Sequence, residues 1–150
     1  MKLSVAIEIA KSYAEKWGII CEEFSVKSKG RLWYCPIIAS SFTLEFKTNL
    51  GKGVVTVIDT KRVIRFEYYP NNNDSNLLPL WAVFPFFTST TSGWRQSYGE
   101  EYLCKWLDWY LKLTEEKTLQ YQKRFPEPEN EELNWTGYYK TIEEHNIRAH

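Results

Sequence analysis

Residues 51–69 read GKGVVTVIDTKRVIRFEYY and predict two antiparallel β-strands joined by a short polar turn at Asp59–Arg62. β-Branched and aromatic residues dominate both halves of this stretch, and such side chains suit a pleated, half-buried surface. Over Ile64–Tyr68 apolar residues alternate with charged ones. That period of two predicts one strand face in a core and the other in solvent. The hairpin is therefore the predicted centre of the fold.

The stretch before the hairpin predicts a helix followed by more strands. Apolar residues recur at helical spacing over Ser4–Trp17. Ser4 is the predicted N-cap, and Gly18 is the predicted left-handed residue after the last turn. The predicted strands are Glu23–Lys27, Arg31–Ile38 and Ser41–Lys47. A turn at Ser28–Gly30 is predicted between the first two of them.

The stretch after the hairpin predicts one more strand and a long helix. Leu77–Phe87 is rich in Leu, Trp and Phe and is interpreted as a last strand or an extended segment. Ser97–Glu100 has the spacing of a capping box and opens an amphipathic helix that is predicted to run to about Arg124. Pro126 stops that helix, and Thr141–Glu144 predicts a short final helix.

These elements predict an α+β fold in a single domain of residues 1–150, with room for a sub-boundary near residues 70–80. An N-terminal helix is expected to pack on a curved antiparallel sheet of about five or six strands. A long amphipathic helix and an aromatic C-terminal segment are expected to follow. At 150 residues the chain is long enough to bury a substantial core.

Charge is balanced over the whole chain but divided between its halves. The formal net charge is zero, so no basic field attracts nucleic acid. Residues 1–75 hold 11 Lys and Arg against 8 Asp and Glu, a net charge of +3, and residues 76–150 hold 8 against 11, a net charge of −3. This asymmetry favours a protein partner over nucleic acid.

Cysteine usage and hydropathy predict a reduced, cytoplasmic setting. Cys21, Cys35 and Cys104 are odd in number and widely spaced, which fits neither a disulfide framework nor a zinc knuckle. Glu8 interrupts the first apolar stretch, so no signal peptide is expected, and no apolar run is long enough to span a bilayer. We expect a soluble protein that does not bind membranes.

The residue types that carry catalysis or bind metals form no recognisable set, so we expect no enzyme activity, no metal and no cofactor. His145 and His150 are the only histidines, and neither has the spacing of a metal site or of a Cys–His pair. Among the carboxylates of the predicted sheet, Asp59 is interpreted as a turn residue, and Glu45 and Glu67 are interpreted as solvated.

The aromatic residues after the hairpin are interpreted as core beneath the long helix, with a stacking platform for a sugar or a base as the alternative. They are Trp81, Phe84, Phe86, Phe87 and Trp94. No Lys or Arg lies between them in the sequence. That pattern argues against nucleic-acid binding, in which basic residues accompany the stacking rings.

An acidic and aromatic C-terminal region is the predicted partner-binding surface. Its carboxylates would meet a basic partner, because charge speeds encounter and sets specificity. Its rings are of the types that anchor interfaces. The simpler interpretation is a solvated surface. The predicted contact residues are Glu127, Glu129, Glu131, Glu132, Trp135, Tyr138, Tyr139, Glu143 and Glu144.

Three stretches of the first half form one pattern: the helix AIEIAKSYAEKWG at 6–18, the Trp-bearing strand RLWYCPI at 31–37 and the strand–turn–strand VVTVIDTKRVIRF at 54–66. With them, residues 4–69 resemble small bacterial immunity proteins of the nuclear-transport-factor-like, cystatin-type α+β kind. The chain departs from that family's pattern at Thr60–Lys61, where members often have Thr-Gly. Nothing after Ser97 has a counterpart in the family.

The resemblance implies a cytoplasmic, non-catalytic protein that binds and neutralises a cognate protein toxin, with a basic nuclease domain as one candidate. The alternative is a cone-shaped α+β enzyme or small-ligand carrier with a cavity between sheet and helix. That alternative predicts polar residues facing inward from the strands, for instance Tyr34, Thr56 or Tyr68. A third interpretation is a protein that associates with itself through exposed aromatic residues.

Overall fold

The predicted hairpin belongs to a four-stranded sheet in the computed structural model, which describes residues 1–32, 39–72 and 76–148. The chain divides into two units, Met1–Leu78 and Pro79–His150. The first unit contains a helix and an antiparallel sheet, as the α+β prediction requires. Its elements are α1 (Leu3–Lys16), β1 (Glu23–Leu32), β2 (Ala39–Thr48), β3 (Gly51–Ile58) and β4 (Arg62–Pro70).

The strands lie in the order β1-β2-β3-β4, and each neighbouring pair is antiparallel. Between β3 and β4 the Lys61 N–H donates to the Ile58 carbonyl at 2.9 Å. Lys61 has a φ of 61°, the left-handed conformation that closes a three-residue hairpin loop. The turn therefore lies where the polar residues predicted it.

Helix α1 covers the inner face of the sheet with its alanines. Ala6, Ala10 and Ala14 recur every fourth residue and are fully buried. Because these side chains are small, the helix backbone can approach the strands closely. The buried strand residues of the first unit are mainly large and apolar: Phe42, Leu44, Phe46, Val55, Val57, Val63, Phe66 and Tyr68. Apolar side chains therefore line the layer between helix and sheet.

The ring of Phe46 lies over Gly53 in this layer. The two residues are paired across β2 and β3, and a Cβ on Gly53 would collide with the Phe46 ring and with the Glu67 carbonyl oxygen. The same ring stacks on Phe66 and on Tyr68, with centroid distances of 5.1 and 6.3 Å. Glycine at position 53 therefore provides the space that the aromatic stack occupies.

The prediction of about five or six strands is too high, because the described residues form four. β1 continues through the predicted turn at Ser28–Gly30, and a bulge between Val26 and Ser28 absorbs the irregularity. Most of the predicted strand Arg31–Ile38, namely residues 33–38, lies outside the described part of the chain. Leu77–Phe87 is not a strand, since it contains one helical turn at Leu80–Val83.

A second bulge, in β4, changes which residues face inward. Arg65 pairs with Thr56 and Val63 pairs with Val57, so Ile64 is the extra residue. Val63 is buried and Ile64 is only half-buried. The simple alternation predicted for Ile64–Tyr68 therefore fails at its first residue.

The ends of α1 follow the predictions only in part. The helix begins at Leu3 with Lys2 as its N-cap residue, and no side chain caps it, so the predicted Ser4 cap is wrong. At the other end Gly18 has a positive φ of 72°. The Ile19 N–H donates to the Ala14 carbonyl at 3.0 Å, which satisfies a carbonyl of the last turn as predicted.

The second unit consists of helices and loops in its described residues. Its helices are α2 (Leu80–Val83), α3 (Ser97–Tyr110), α4 (Glu115–Arg124) and α5 (Tyr138–Arg148), with 3-10 helices at Ser92–Arg95 and Glu131–Leu133. Trp81, Phe84 and Trp94 are buried, in agreement with their interpretation as core, whereas Phe86 is exposed. Across the described residues, no helix combines the length and the apolar character needed to cross a membrane.

The predicted long helix is in fact two helices, α3 and α4. Thr114 starts α4, because its side-chain oxygen accepts the Lys117 N–H at 3.3 Å. The indole Nε1 of Trp106 in α3 donates to the Tyr121 hydroxyl of α4 at 3.0 Å. Ser97 has a φ of 47° and is the first residue of α3 rather than its cap, so the predicted capping box is wrong.

We predict that Gly53→Ala destabilises the protein by about 1–3 kcal/mol, because the added methyl group forces the Phe46 ring or the backbone to move. Urea unfolding followed by tryptophan fluorescence measures the change in the free energy of unfolding. Gly30→Ala in β1 is the matched control, since its Cβ would lie 3.4 Å from the nearest atom, Ser41 Oγ. Equal stability of the Gly53→Ala variant and the wild type would contradict the role given to Gly53.

Candidate partner-binding surface

The nine predicted contact residues of the C-terminal region separate into two groups. Five are buried or half-buried in the second unit: Trp135, Tyr139, Tyr138, Glu127 and Glu143. Four are exposed: Glu129, Glu131, Glu132 and Glu144. The fold therefore engages the first group internally and leaves only carboxylates of the second group in solvent.

Glu127 holds the start of α5. Its Oε2 accepts the N–H of Gly137 at 2.6 Å, and its Oε1 accepts the N–H of Tyr139 at 2.7 Å. The first N–H groups of a helix lack partners within the helix, and a carboxylate beside them also complements the helix dipole. Both oxygens of Glu127 are thus occupied inside the second unit.

The aromatic residues of the region pack in the interior. The indole Nε1 of Trp135 donates to the Phe87 carbonyl at 3.2 Å, and the Tyr139 hydroxyl donates to the Phe125 carbonyl at 2.8 Å. The Tyr138 ring lies edge-on against Trp135, with a centroid distance of 4.9 Å. Burial raises the pKa of Tyr138 to about 12. These rings stabilise the fold of the second unit.

Glu143 joins a polar network that links three helices. Its Oε1 accepts the Tyr110 hydroxyl at 3.0 Å and the Gln122 Nε2 at 2.7 Å. Gln122 Nε2 also lies 2.8 Å from the Tyr110 hydroxyl oxygen. Burial, before any other cause, raises the pKa of Tyr110 well above its usual range, so this hydroxyl keeps the proton that it donates. The network ties α5 to α3 and α4.

Residues 129–132, named here the acidic segment, are held on a fixed backbone. Asn130 Oδ1 accepts the Glu132 N–H at 3.0 Å, and the Leu133 N–H donates to the Asn130 carbonyl at 3.1 Å. The Leu133 carbonyl in turn accepts the Ser89 N–H at 3.1 Å. All three glutamates of the segment are exposed, and none forms an ion pair with a described residue.

Glu144, the fourth exposed carboxylate, differs from the acidic segment. It lies one helical turn after Lys140 on α5, with 3.8 Å between the Lys140 Nζ and the Glu144 Oε1. Exposed pairs of this kind contribute little to stability. The Lys140 ammonium group does, however, balance the charge of the Glu144 carboxylate locally. The unpaired negative charge of the predicted surface is therefore that of the acidic segment.

On the outer face of the sheet Glu67 is only 4% exposed, so its interpretation as a solvated residue is wrong. Arg65 donates to both of its carboxylate oxygens, at 2.9 and 2.8 Å, and the Tyr69 hydroxyl donates at 2.9 Å. A buried charge is tolerated when it is paired and hydrogen-bonded in this way. Alternate residues of a strand share a face, so the Arg-x-Glu-x-Tyr spacing was a signal for this network.

Glu45 and Asp59 match their interpretation as a solvated residue and a turn residue. Glu45 is exposed and forms an ion pair with Lys27 at 3.0 Å. Asp59 lies in the turn after β3, where its Oδ2 accepts the Ser40 N–H at 2.9 Å. Neither carboxylate is buried.

Cys21, the cysteine nearest to the N-terminus, is in an environment that disfavours its thiolate form. Cys21 is half-buried, and burial raises the pKa of its thiol to about 11, an effect that Lys11 opposes and Glu15 reinforces. The thiolate is the reactive form of cysteine, so a thiol with such a pKa is a poor nucleophile at neutral pH.

Where the structure describes them, the remaining residues of nucleophile and ligand type do not gather into a site. Cys104 and His145 are exposed, and His145 Nδ1 lies 2.7 Å from the Thr141 carbonyl oxygen of its own helix. Cys35 and His150 lie outside the described residues. In the part of the chain that the structure describes, no group of three or more His, Cys, Asp or Glu is arranged to hold a metal ion.

The alternative of a cavity between sheet and helix relied on inward polar residues. Thr56 lies on the outer face instead, where its Oγ1 is 3.1 Å from that of Thr43. Tyr68 faces inward, but its hydroxyl lies 3.3 Å from Thr48 Oγ1 and its ring stacks on Phe46. Tyr34 lies outside the described residues.

No known protein family, curated protein or solved structure matches this chain.

We predict that Glu127→Ala lowers the free energy of unfolding by about 1–3 kcal/mol, because two N–H groups at the start of α5 lose a charged acceptor. Chemical unfolding followed by circular dichroism measures the change. Glu129→Ala removes an exposed carboxylate two positions away and is the control, with an expected change within about 0.5 kcal/mol. Equal effects of the two substitutions would show that the Glu127 contacts do not stabilise the helix.

We also predict that Cys21 reacts slowly with iodoacetamide in the folded protein. At pH 8 about one thousandth of a thiol with a pKa of about 11 is ionised, against roughly a tenth at the ordinary value of 9.0. Alkylation, followed by peptide mass spectrometry, should therefore be at least about tenfold slower in the native protein than in urea. The native rate should rise steadily between pH 8 and pH 10. A native rate equal to that in urea would contradict the assigned burial.

Proposed function

We propose that this protein is a non-catalytic immunity protein that binds and neutralises a cognate protein toxin. The observation that carries the proposal is the acidic segment, in which Glu129, Glu131 and Glu132 are exposed and unpaired among the described residues on a hydrogen-bonded backbone. Surfaces of this kind suit recognition of a charged partner, because the backbone needs no ordering when the complex forms.

The partner that fits this surface is a basic protein face. The half of the chain that holds the acidic segment, residues 76–150, has a net charge of −3. Complementary charge raises the rate of encounter and disfavours wrong partners. A toxin domain that acts on nucleic acid presents such a basic face, because it must bind phosphates. The acidic segment would compete with those phosphates for the same cations.

The apolar interior that the described residues of the first unit form supports action through the surface. Alanines of α1 and aromatic residues of the strands occupy the layer between helix and sheet. Glu67, a buried carboxylate of this unit, accepts hydrogen bonds from Arg65 and Tyr69. The residues left with unmatched charge are on the outside, where they can bind a partner and block its active face.

The test is co-expression with candidate toxin domains, starting with any that a neighbouring reading frame encodes. The wild-type protein should restore growth of toxin-expressing cells and should bind the purified toxin. Reversing all three charges with Glu129→Lys, Glu131→Lys and Glu132→Lys should weaken binding by at least about tenfold, since like charges then face the basic surface. The loss should shrink as salt is raised, because salt screens exposed charges.

The matched control for this test reverses three exposed glutamates elsewhere, with Glu8→Lys, Glu15→Lys and Glu101→Lys. Its net charge equals that of the triple variant, so it separates a specific contact from a general charge effect. Unchanged rescue is expected for this control. Failure of the wild-type protein to bind the toxin or to restore growth would refute the proposed function.

A further inference from the structure

Strand β1 forms an open edge of the sheet. It is the first strand in the order β1-β2-β3-β4, and among the described residues it pairs with β2 alone. Every residue from Ser25 to Gly30 is exposed, and exposure of Gly30 is exposure of backbone, because glycine has no side chain. An edge strand presents alternate N–H and C=O groups that its one neighbour does not bind. The edge at β1 can therefore accept another strand.

The opposite edge of the sheet is closed by comparison. Of the nine residues of β4, Arg62 alone is exposed, and the others are buried or half-buried. The strand also ends at Pro70, which has no N–H to donate to a further strand. We therefore expect an added strand at β1 rather than at β4.

Val26 is an apolar residue at the open edge that the fold leaves partly uncovered. It pairs with Leu44 of β2, which is fully buried, yet Val26 itself is 45% exposed. The reason is that helix α1 packs mainly over β2, β3 and β4. A strand added beside β1 would cover Val26 and remove its apolar surface from water.

The charges at β1 are sorted by sign along the chain. Glu22 and Glu23 lie at the start of the strand, and Lys27 and Lys29 lie further along it. Two copies that run antiparallel bring the acidic start of each against the basic part of the other, whereas parallel copies place like charges together. A two-fold axis at the edge produces the antiparallel arrangement, since each copy then offers the same surface. The order of charges therefore favours a second copy of this chain as the occupant.

The ion pairs within the chain leave charge of both signs available at β1. Glu23 and Lys27 each form an ion pair with a residue of β2, and the side chains of both pairs are more than half exposed. Such pairs contribute little to stability. Glu22 and Lys29 are exposed and form no ion pair with any described residue. The Lys29 Nζ lies over the Phe42 ring, 4.9 Å from its centroid, and no described carboxylate balances its charge.

The lysines of β1 select which strand the edge accepts. Lysines and bulges on an edge strand normally prevent pairing with other chains, and β1 has both, with its bulge between Val26 and Ser28. Lysines repel a strand that places cations opposite them and attract one that places carboxylates there. They therefore restrict the edge to an acidic strand, and the start of β1 in a second copy is such a strand.

We propose that two copies of this chain associate through their β1 strands, which run antiparallel and are centred near Val26. The two four-stranded sheets then form one continuous sheet. Glu22 and Glu23 of each copy lie against Lys27 and Lys29 of the other, and the two Val26 side chains meet near the two-fold axis. The interface shares no residue with the acidic segment, and it does not depend on the proposed function.

Sedimentation velocity of the full chain over about 5–500 µM tests the proposal, in a range that suits the weak association of a small interface. The wild type should show an equilibrium between monomer and dimer. One double variant carries Glu22→Lys and Glu23→Lys, and another carries Lys27→Glu and Lys29→Glu. Each should raise the dissociation constant at least about tenfold, because residues 22–29 then carry charge of a single sign and repel their own copy.

The two double variants should complement each other. An equimolar mixture should form a heterodimer at least as readily as the wild type forms its dimer, because an acidic strand then meets a basic one. A chain with all four substitutions should regain a dissociation constant within about threefold of the wild-type value. A general effect of charge, or damage to the fold, would not produce this recovery.

The matched control carries Glu8→Lys and Glu101→Lys, which change the net charge as Glu22→Lys and Glu23→Lys do, at exposed positions on α1 and α3. It should form dimers with a dissociation constant within about twofold of the wild-type value. Circular dichroism melting checks that each variant is folded. Hydrogen exchange of the wild type should show that the amides of β1 become more protected as the protein concentration rises.

Four results would overturn the proposal. They are a protein that stays monomeric over the whole concentration range, a control that loses as much affinity as the double variants, a lack of recovery in the mixture and in the fourfold variant, and concentration-dependent protection that lies outside β1. The toxin assay is read separately. Rescue by a monomeric protein would reject this interface and leave the proposed function intact, whereas a dimer without rescue would do the reverse.

Discussion

The packing of the sheet depends on the absence of a side chain at Gly53. The Phe46 ring occupies the space over this glycine and, through its own strand and the rings that it contacts, connects all four strands. Phe46 belongs to β2 and lies over β3 at Gly53. Its centroid is 6.1 Å from that of Phe24 in β1 and 5.1 Å from that of Phe66 in β4. Tyr13 of α1 packs on Phe66 at 5.4 Å, so the same stack continues into the helix. A side chain at position 53 would displace the ring on which this stack depends.

Local patterns in the sequence predicted the elements that local forces determine. Helix α1, its glycine end at Gly18 and the hairpin at residues 51–69 follow from residue spacing and from turn residues. The bulges in β1 and β4 did not follow, because a bulge depends on which residues of the next strand keep their pairing. Thr114 shows a related limit, since the apolar spacing runs across the break that this cap creates between α3 and α4.

Residue types in the C-terminal region were identified correctly as acidic and aromatic, but burial could not be predicted from them. Glu127 and Glu129 each follow a proline directly, and no local pattern marks one of them as buried and the other as exposed. Only the fold brings the N–H groups of Gly137 and Tyr139 to Glu127. Contacts between residues 10 or 12 positions apart leave no periodic pattern in the sequence from which they could be predicted. Trp135 was likewise expected at an interface and is fully buried in the structure.

The surface proposed for toxin binding has one physical property, which is unmatched charge on a backbone that is already hydrogen-bonded. The buried Glu67 and the half-buried Glu143 are both hydrogen-bonded within the chain. Such groups have little to gain from a partner. By contrast, the exposed glutamates of the acidic segment would gain contacts on binding a basic partner, and their backbone is already hydrogen-bonded. Ordering a flexible side chain costs roughly 0.5–1.5 kcal/mol, and ordering a loop adds to it. A segment whose backbone is already hydrogen-bonded avoids the cost of ordering a loop, so the contacts that it makes contribute more fully to affinity.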